Sequence, residues 1–212
     1  MGLHSWFSRE YFEMHIPISS VRDQLPFDPF KAIVSPRPIG WISTISSNGV
    51  PNLAPYSFFN AISSDPHLIA FSSAGWKDTV ANCQATGEFV FNVVTQDLLS
   101  SMNQSSQSIP SDESEFDHCG LEMRGSQFVS PPRVAATPAA LECRVVEIKQ
   151  LSDIDGKLSQ SWLTIGQVMG LYIDPDFITE EGRFDTTKAQ IPTRCGYMDY
   201  MEPGRLFELE RP

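Results

Sequence analysis

Ile39-Gly40-Trp41-Ile42-Ser43-Thr44-Ile45-Ser46 is a run of β-formers followed at once by Asn48-Gly49, and its reading decides the fold class. Branched and aromatic side chains fit a pleated, half-buried surface. Asn48-Gly49 predicts a type I′ hairpin turn, in which both central residues need positive φ. The return strand is expected through Leu53 to Ile62, a third strand over His67 to Ser73, and a fourth over Glu88 to Val94. Between the last two lies one helical signal. Asp78 and Thr79 are N-cap candidates, Val80 to Thr86 form the helix, and Gly87 stops it.

A second strand-rich region follows. Leu141 to Leu151 reads as a strand, Asp153 to Lys157 as a turn, and Trp162 to Ile173 as the partner. In that partner Leu163, Ile165, Met169, Leu171 and Ile173 alternate with Trp162, Thr164, Gly166, Val168, Gly170 and Tyr172, so one face is markedly apolar. Gly166 and Gly170 leave room for a close backbone approach or for strand bending. Ser100 to Ser126 is rich in serine and carries the acidic run Asp112, Glu113, Glu115 and Asp117. It reads as short helices and loop, either a surface connection or a lid over a ligand. Many strands and few helices argue for a closed or nearly closed antiparallel barrel. Periodicity alone does not separate a barrel from a sandwich.

The composition narrows the function. The 212 residues are 41% hydrophobic with 14 Phe, which fits a globular chain with a substantial core. No apolar run approaches the roughly 18 residues of a membrane span. Met1 to Phe12 does not read as a signal peptide. A cytoplasmic location is therefore expected. Lys and Arg total 15 against 26 Asp and Glu, a net charge of −11. Such a chain is a poor binder of nucleic acid or anionic membrane, so an anionic ligand has to be held by a local arrangement. Cys83, Cys119, Cys143 and Cys195 are far apart, which argues against a cysteine zinc site and for reduced thiols. No metal site is expected. GxSxG, HExxH, GxGxxG and Walker A patterns are all missing.

Two stretches carry possible chemistry. In Phe71-Ser72-Ser73-Ala74-Gly75-Trp76-Lys77-Asp78-Thr79 a strand ends, a glycine turn follows and a helix begins. A helix N-terminus offers unpaired N–H groups and about half a positive charge. Lys77, Ser73 and Thr79 add a cation and two hydroxyls, a set that suits a phosphate. Asp78 is assigned to capping. An ordinary capped helix with a solvated lysine fits the same residues. In Asn52-Leu53-Ala54-Pro55-Tyr56-Ser57-Phe58-Phe59-Asn60, small polar residues mix with aromatics. That mixture suits the edge and face of a flat amphipathic ring. A strand with core aromatics and solvated polar residues fits equally.

These blocks bear a resemblance. Ser35-Pro36-Arg37-Pro38-Ile39-Gly40-Trp41-Ile42-Ser43-Thr44, Asn52 to Asn60, and Lys77-Asp78-Thr79 with Asn82 look like the flavin reductase family, and more narrowly like its branch containing nitrilotriacetate monooxygenase component B. Ser130-Pro131-Pro132-Arg133, Leu141-Glu142-Cys143, Ile165-Gly166-Gln167-Val168 and Arg194-Cys195-Gly196-Tyr197 with Tyr200 resemble later blocks, in the same order. The resemblance implies a mainly β fold, an antiparallel split β-barrel of the FMN-binding type with a few short helices. That domain would span 30–212 after an N-terminal extension over 1–29. It also implies a homodimer with the flavin near the subunit contact. Carried over by position, the ring edge and ribityl chain of FMN fall to Ser43, Thr44, Ala54, Ser57, Phe58 and Asn60, and the phosphate to Ser72, Ser73, Lys77 and Thr79. Arg37 is an extra anion contact or half of a structural salt bridge. Arg194 and Tyr197 fall near the flavin or the dimer contact. The family often has a glycine pair after the late arginine, where this chain reads Arg194-Cys195-Gly196.

The activity so implied is a flavin reductase. FMN takes a hydride from NADH or NADPH, and reduced flavin passes to a partner monooxygenase. Such chemistry belongs to the cofactor, and the protein positions two rings, so no catalytic residue is assigned. A flavin carrier or sensor, and a split-barrel oxidase of a pyridoxine-type substrate, are the alternatives.

Overall fold

A computed structural model describes residues 14–212. The reading of Met1 to Phe12 lies outside the described residues. Helices α1 (Val21–Gln24) and α2 (Phe30–Ile33) precede strands β1 (Gly40–Ile45), β2 (Pro51–Tyr56), β3 (Phe59–Ser64) and β4 (His67–Ala74). Helix α3 (Asp78–Thr86) and strand β5 (Glu88–Asn92) follow, then α4 (Leu99–Gln104), α5 (Glu115–His118), β6 (Met123–Arg124) and β7 (Arg133–Val134). The long strands β8 (Ala139–Ser152) and β9 (Leu158–Ile173) come next, and then α6 (Thr186–Ala189), β10 (Thr193–Arg194) and β11 (Tyr200–Met201).

Seven strands form one antiparallel sheet in the order β2-β1-β5-β8-β9-β4-β3. β2 and β3 stand at opposite ends of that order, yet Ser57 and Phe58 alone separate them in the chain. That link spans at most roughly 10 Å, so the two ends of the sheet have to meet. No ladder joins them, and the result is an antiparallel barrel split along one seam. The expected single strand from Leu53 to Ile62 is thus two strands. The first pairs with β1 and the second with β4.

The interior is filled by Ile42, Tyr56, Phe71 and Phe89, with Val80 and Cys83 of α3 packed onto them. Phe71 meets Tyr56 at 4.8 Å and stands edge-on to Phe89 at 5.5 Å between ring centroids. All four cysteines are free, and burial pushes the Cys83 thiol up to about 12. A second core lies on the other face of β1 and β2. There Trp41 and Leu53 pack with Val94, Met102, Phe116 and Val134. β1 is therefore buried on both faces, which is why its sequence does not alternate. The serine-rich segment covers that second face, and the Trp41 indole donates to the Ser105 hydroxyl at 2.9 Å. Its Glu115 is buried, and the carboxylate accepts from Leu53 N at 2.9 Å. Burial first, and the charge of Asp78 after it, push the Glu115 carboxyl above its ordinary range.

Two further expectations are corrected, and the inward face of β9 is settled. Gly49 has φ +83°, but Asn48 does not have a positive φ, and the Gly49 N–H donates to Ser46 O at 2.9 Å. The hairpin closes through a longer turn with one left-handed residue instead of type I′. In β9 it is Thr164 and Gly166 that are buried. Met169 and Leu171 of the apolar set are 41% and 62% exposed. A narrow interior holding large rings from β4 and β5 needs small residues opposite them. A Cβ on Gly166 would lie 2.3 Å from the Phe89 ring. Finally, Lys77 is the N-cap of α3, with no side-chain cap, and Asp78 is the first helical residue. Gly87 ends the helix as expected, at φ 72°.

Two outcomes follow from this packing. Gly166→Ala should destabilise the fold by about 1–3 kcal/mol through overpacking against Phe89, about 2–4 °C per kcal/mol in a melting curve. The native protein also holds the Glu115 proton to higher pH than the unfolded chain does. That stabilisation is full below the unfolded value and is lost as pH rises through the folded one. Glu115→Gln keeps an oxygen acceptor for Leu53 N and does not titrate. The melting temperature of the wild type should therefore fall relative to Glu115→Gln as pH rises from about 4.5. A constant difference between the two would refute this role.

Candidate functional site

The end of β4 shapes the first part of the site. Gly75 takes φ +103°, and its N–H donates to Gln160 O at 2.8 Å across the neighbouring strand β9. Trp76 stands edge-on to Trp162 at 4.5 Å, which fixes the turn sideways against the barrel. Lys77 then opens α3. With no side chain capping it, the first N–H groups of this nine-residue helix keep their donor capacity. Beside this end lies a cavity of about 330 Å³. Lys77 and Thr79 line it from α3, Asn52 and Ala54 from β2, and Gln107 and Ser108 from the serine-rich segment. Asp78 and Glu115 also reach its wall.

A second cavity, of about 220 Å³, shares Pro55, Tyr56 and Ser106 with the first. Ser57, Asn103, Arg194 and Tyr200 line its far end. The Tyr200 hydroxyl and the Asn103 amide oxygen are 3.3 Å apart, and the Arg194 guanidinium lies 4.5 Å from the Tyr200 ring centroid. Arg194 reaches this place because its backbone pairs with that of Arg37, with N–H···O distances of 3.0 and 2.9 Å. Tyr56 lies where the two cavities meet. Its hydroxyl is buried without a hydrogen-bond partner, and burial pushes it up to about 12. On the other side of Ser57 runs an open groove of about 560 Å³ along Arg37, Phe58, Asn60, Ser72 and Leu163.

The ten residues assigned to a ligand from the sequence thus divide into four groups. Ala54, Lys77 and Thr79 share the first cavity, while Ser57 lies between the second cavity and the groove. Phe58, Asn60 and Ser72 line the groove. Ser43, Thr44 and Ser73 are fully buried. Ser43 donates to Pro132 O and accepts from Asn92, Thr44 accepts from Asn82 at 3.1 Å, and Ser73 donates to Gly75 O at 2.9 Å. These three hydroxyls join elements together inside the fold and do not face a cavity. Arg37 makes no salt bridge among the described residues. Its guanidinium donates to the carbonyls of Lys31, Val34 and Cys195. The Tyr197 carbonyl accepts from Arg194 at 2.7 Å.

Sequence reasoning missed Asn103, Gln107 and Glu115. Asn103 and Gln107 lie in a polar segment that resembles any surface loop, and Glu115 sits in an acidic run that resembles a solvated face. The apolar pair Met102 and Phe116 was the available signal, since both are sealed against β1 and β2.

Comparison with known proteins agrees with this fold. A family model described as "Flavin reductase like domain" matches residues 34–188. An uncharacterized protein of Halalkalibacterium halodurans is 35% identical over 184 residues, 84% of this chain and 87% of that protein. Nitrilotriacetate monooxygenase component B from Bacillus cereus superposes with a TM-score of 0.84 at 26% identity, over 93% of this chain and 98% of that one. The 2-nitrobenzoate 2-nitroreductase of Pseudomonas fluorescens gives 0.82 at 27% identity, over 94% and 96%. With most of its length matched, the seven-stranded sheet and the first cavity included in that span, the chain belongs to the flavin reductase like family.

Proposed function

We propose that the protein binds FMN in the paired cavities and reduces it with NADH or NADPH, the reduced flavin then serving a partner monooxygenase. One observation carries the reading. A cavity with a cation and an uncapped helix N-terminus at one end adjoins, across Pro55 and Tyr56, a compartment walled by Ser57, Asn103 and Tyr200. A phosphate at one end and a flat ring at the other match that sequence of environments. The donor set fits the group. Lys77 and the first N–H groups of α3 would hold the phosphate. Gln107, Ser108 and the unpartnered Tyr56 hydroxyl would serve the polyol chain. Ser57, Asn103 and Arg194 would border the ring. The two carboxylates near the phosphate are tolerable for stated reasons. Glu115 is held toward its neutral form by burial, and Asp78 lies in the first turn of the helix, where the dipole favours it.

The bound flavin supplies the hydride and electron chemistry. The chain's part is to fix both ends of the ligand, to wall it from water with the 105–109 segment, and to leave one side open for a second ring. Family membership and the oxidoreductase names of the two structural neighbours support this class of activity. The exposed apolar residues Val146, Met169 and Leu171 of β8 and β9 support a homodimer formed through these two strands.

Purified protein should be yellow, or should acquire flavin absorbance when FMN is added; a protein that stays colourless with FMN sinks the reading. Lys77→Ala removes a charge-assisted contact of about 1.5–3 kcal/mol and should weaken FMN binding roughly 10- to 150-fold by fluorescence titration. Under anaerobic conditions NADH or NADPH should bleach the bound flavin. Failure with both donors would leave a flavin carrier or sensor in place of a reductase.

A further inference from the structure

Arg37 carries a buried positive charge that the paired cavities leave unexplained. It is 6% exposed, and it points at three backbone carbonyls and at no carboxylate. Its Nε is buried without any hydrogen-bond partner. Carbonyl dipoles solvate a guanidinium but do not neutralise it. A buried cation normally has an anionic partner, because the uncompensated charge is costly. Here the partner is missing from the described residues, and Arg37 forms part of the wall of the open groove.

The rest of the groove says what kind of anion would fit. The Phe58 ring is 42% exposed. The guanidinium carbon of Arg37 lies 5.9 Å from its centroid and the Lys31 ammonium 5.8 Å. Ile33, Val34, Ile62 and Leu163 make the remaining wall largely apolar, while Asn60 and Ser57 add polar groups at one end. One uncompensated charge, a second cation at the rim, an open aromatic face and apolar sides describe a site for a flat, mostly apolar monoanion. A dinucleotide with several phosphates would bring more negative charge than these two cations match.

We infer that the groove is a binding site for a small aromatic carboxylate, its ring on Phe58 and its carboxylate drawn to Arg37 and Lys31. The site is separate from the Lys77 cavity and needs no flavin to exist. If the flavin reading holds, Ser57 makes the two sites neighbours, since it lines both this groove and the second cavity. A ligand there would then sit beside the flavin compartment, on the side open to a second substrate.

Titration calorimetry of the purified protein tests this with sodium benzoate, with benzamide as the neutral isostere and with acetate as the ringless anion. Benzoate should bind at least about 10-fold more tightly than either, since a hydrogen-bonded charge contributes more than a neutral group. Phe58→Leu should weaken benzoate about 2- to 10-fold, the scale of one aromatic contact. Lys31→Gln should weaken it about 2- to 5-fold and flatten its salt dependence. Both residues are exposed, so these variants keep the test decisive if Arg37→Lys fails to fold. Equal binding of benzoate and benzamide, no benzoate binding, or unchanged affinity in both exposed variants would overturn the proposal. A protein that binds benzoate but not FMN would keep this site and overturn the flavin reading alone.

Discussion

The two residues Ser57 and Phe58 constrain everything else in this fold. They join the strands at the two ends of the seven-stranded order, so the sheet closes or the chain breaks. Closure narrows the interior, and the narrow interior demands glycine and threonine on β9 opposite the rings of Phe71 and Phe89. The same link brings the exit of β2 beside β4 and the turn that follows it. The Phe58 carbonyl accepts from Ser72 N at 2.8 Å, which ties the seam near its corner. Site and fold are therefore one constraint. The residue that turns the corner is also the one that separates two ligand-sized spaces.

Much of the architecture was legible from local chemistry. The strand β1, the glycine stop after α3 and the long β8–β9 hairpin each depend on residues close in sequence. The break inside Leu53 to Ile62 was not legible. Its β-propensity runs on through Ser57-Phe58, and the partners that split it, β1 and β4, come from before and after it in the chain. Which face of β9 turns inward was not legible for a related reason. Hydrophobic alternation marks two faces, and a barrel interior already filled by aromatic rings takes the smaller one.

The site was legible by location more than by residue. The turn at Lys77 and the segment around Ser57 both line cavities. Ser43, Thr44 and Ser73 read as hydroxyl donors, but a hydroxyl serves a ligand or a neighbouring strand equally well, and sequence does not say which. In each case a partner within the fold took it: a carbonyl, an asparagine amide or the glycine turn. Conversely, the serine-rich segment has polar composition but is anchored by Trp41, Met102 and Phe116, three large side chains spread over more than seventy residues.

The order of the strands also bears on how the barrel is made. β8 and β9 occupy the middle of the sheet, between β5 and β4, although they are the last long strands in the sequence. A chain leaving the ribosome exposes β1 to β5 well before the two strands that join them have been synthesised. Those five strands can form the β1–β2 and β3–β4 hairpins, but no lasting barrel. Contacts of such long sequence separation make assembly slow and leave strand edges open in the meantime. The nascent chain is thus most in need of protection, by a chaperone or by the exit tunnel itself, until Ile173 has emerged.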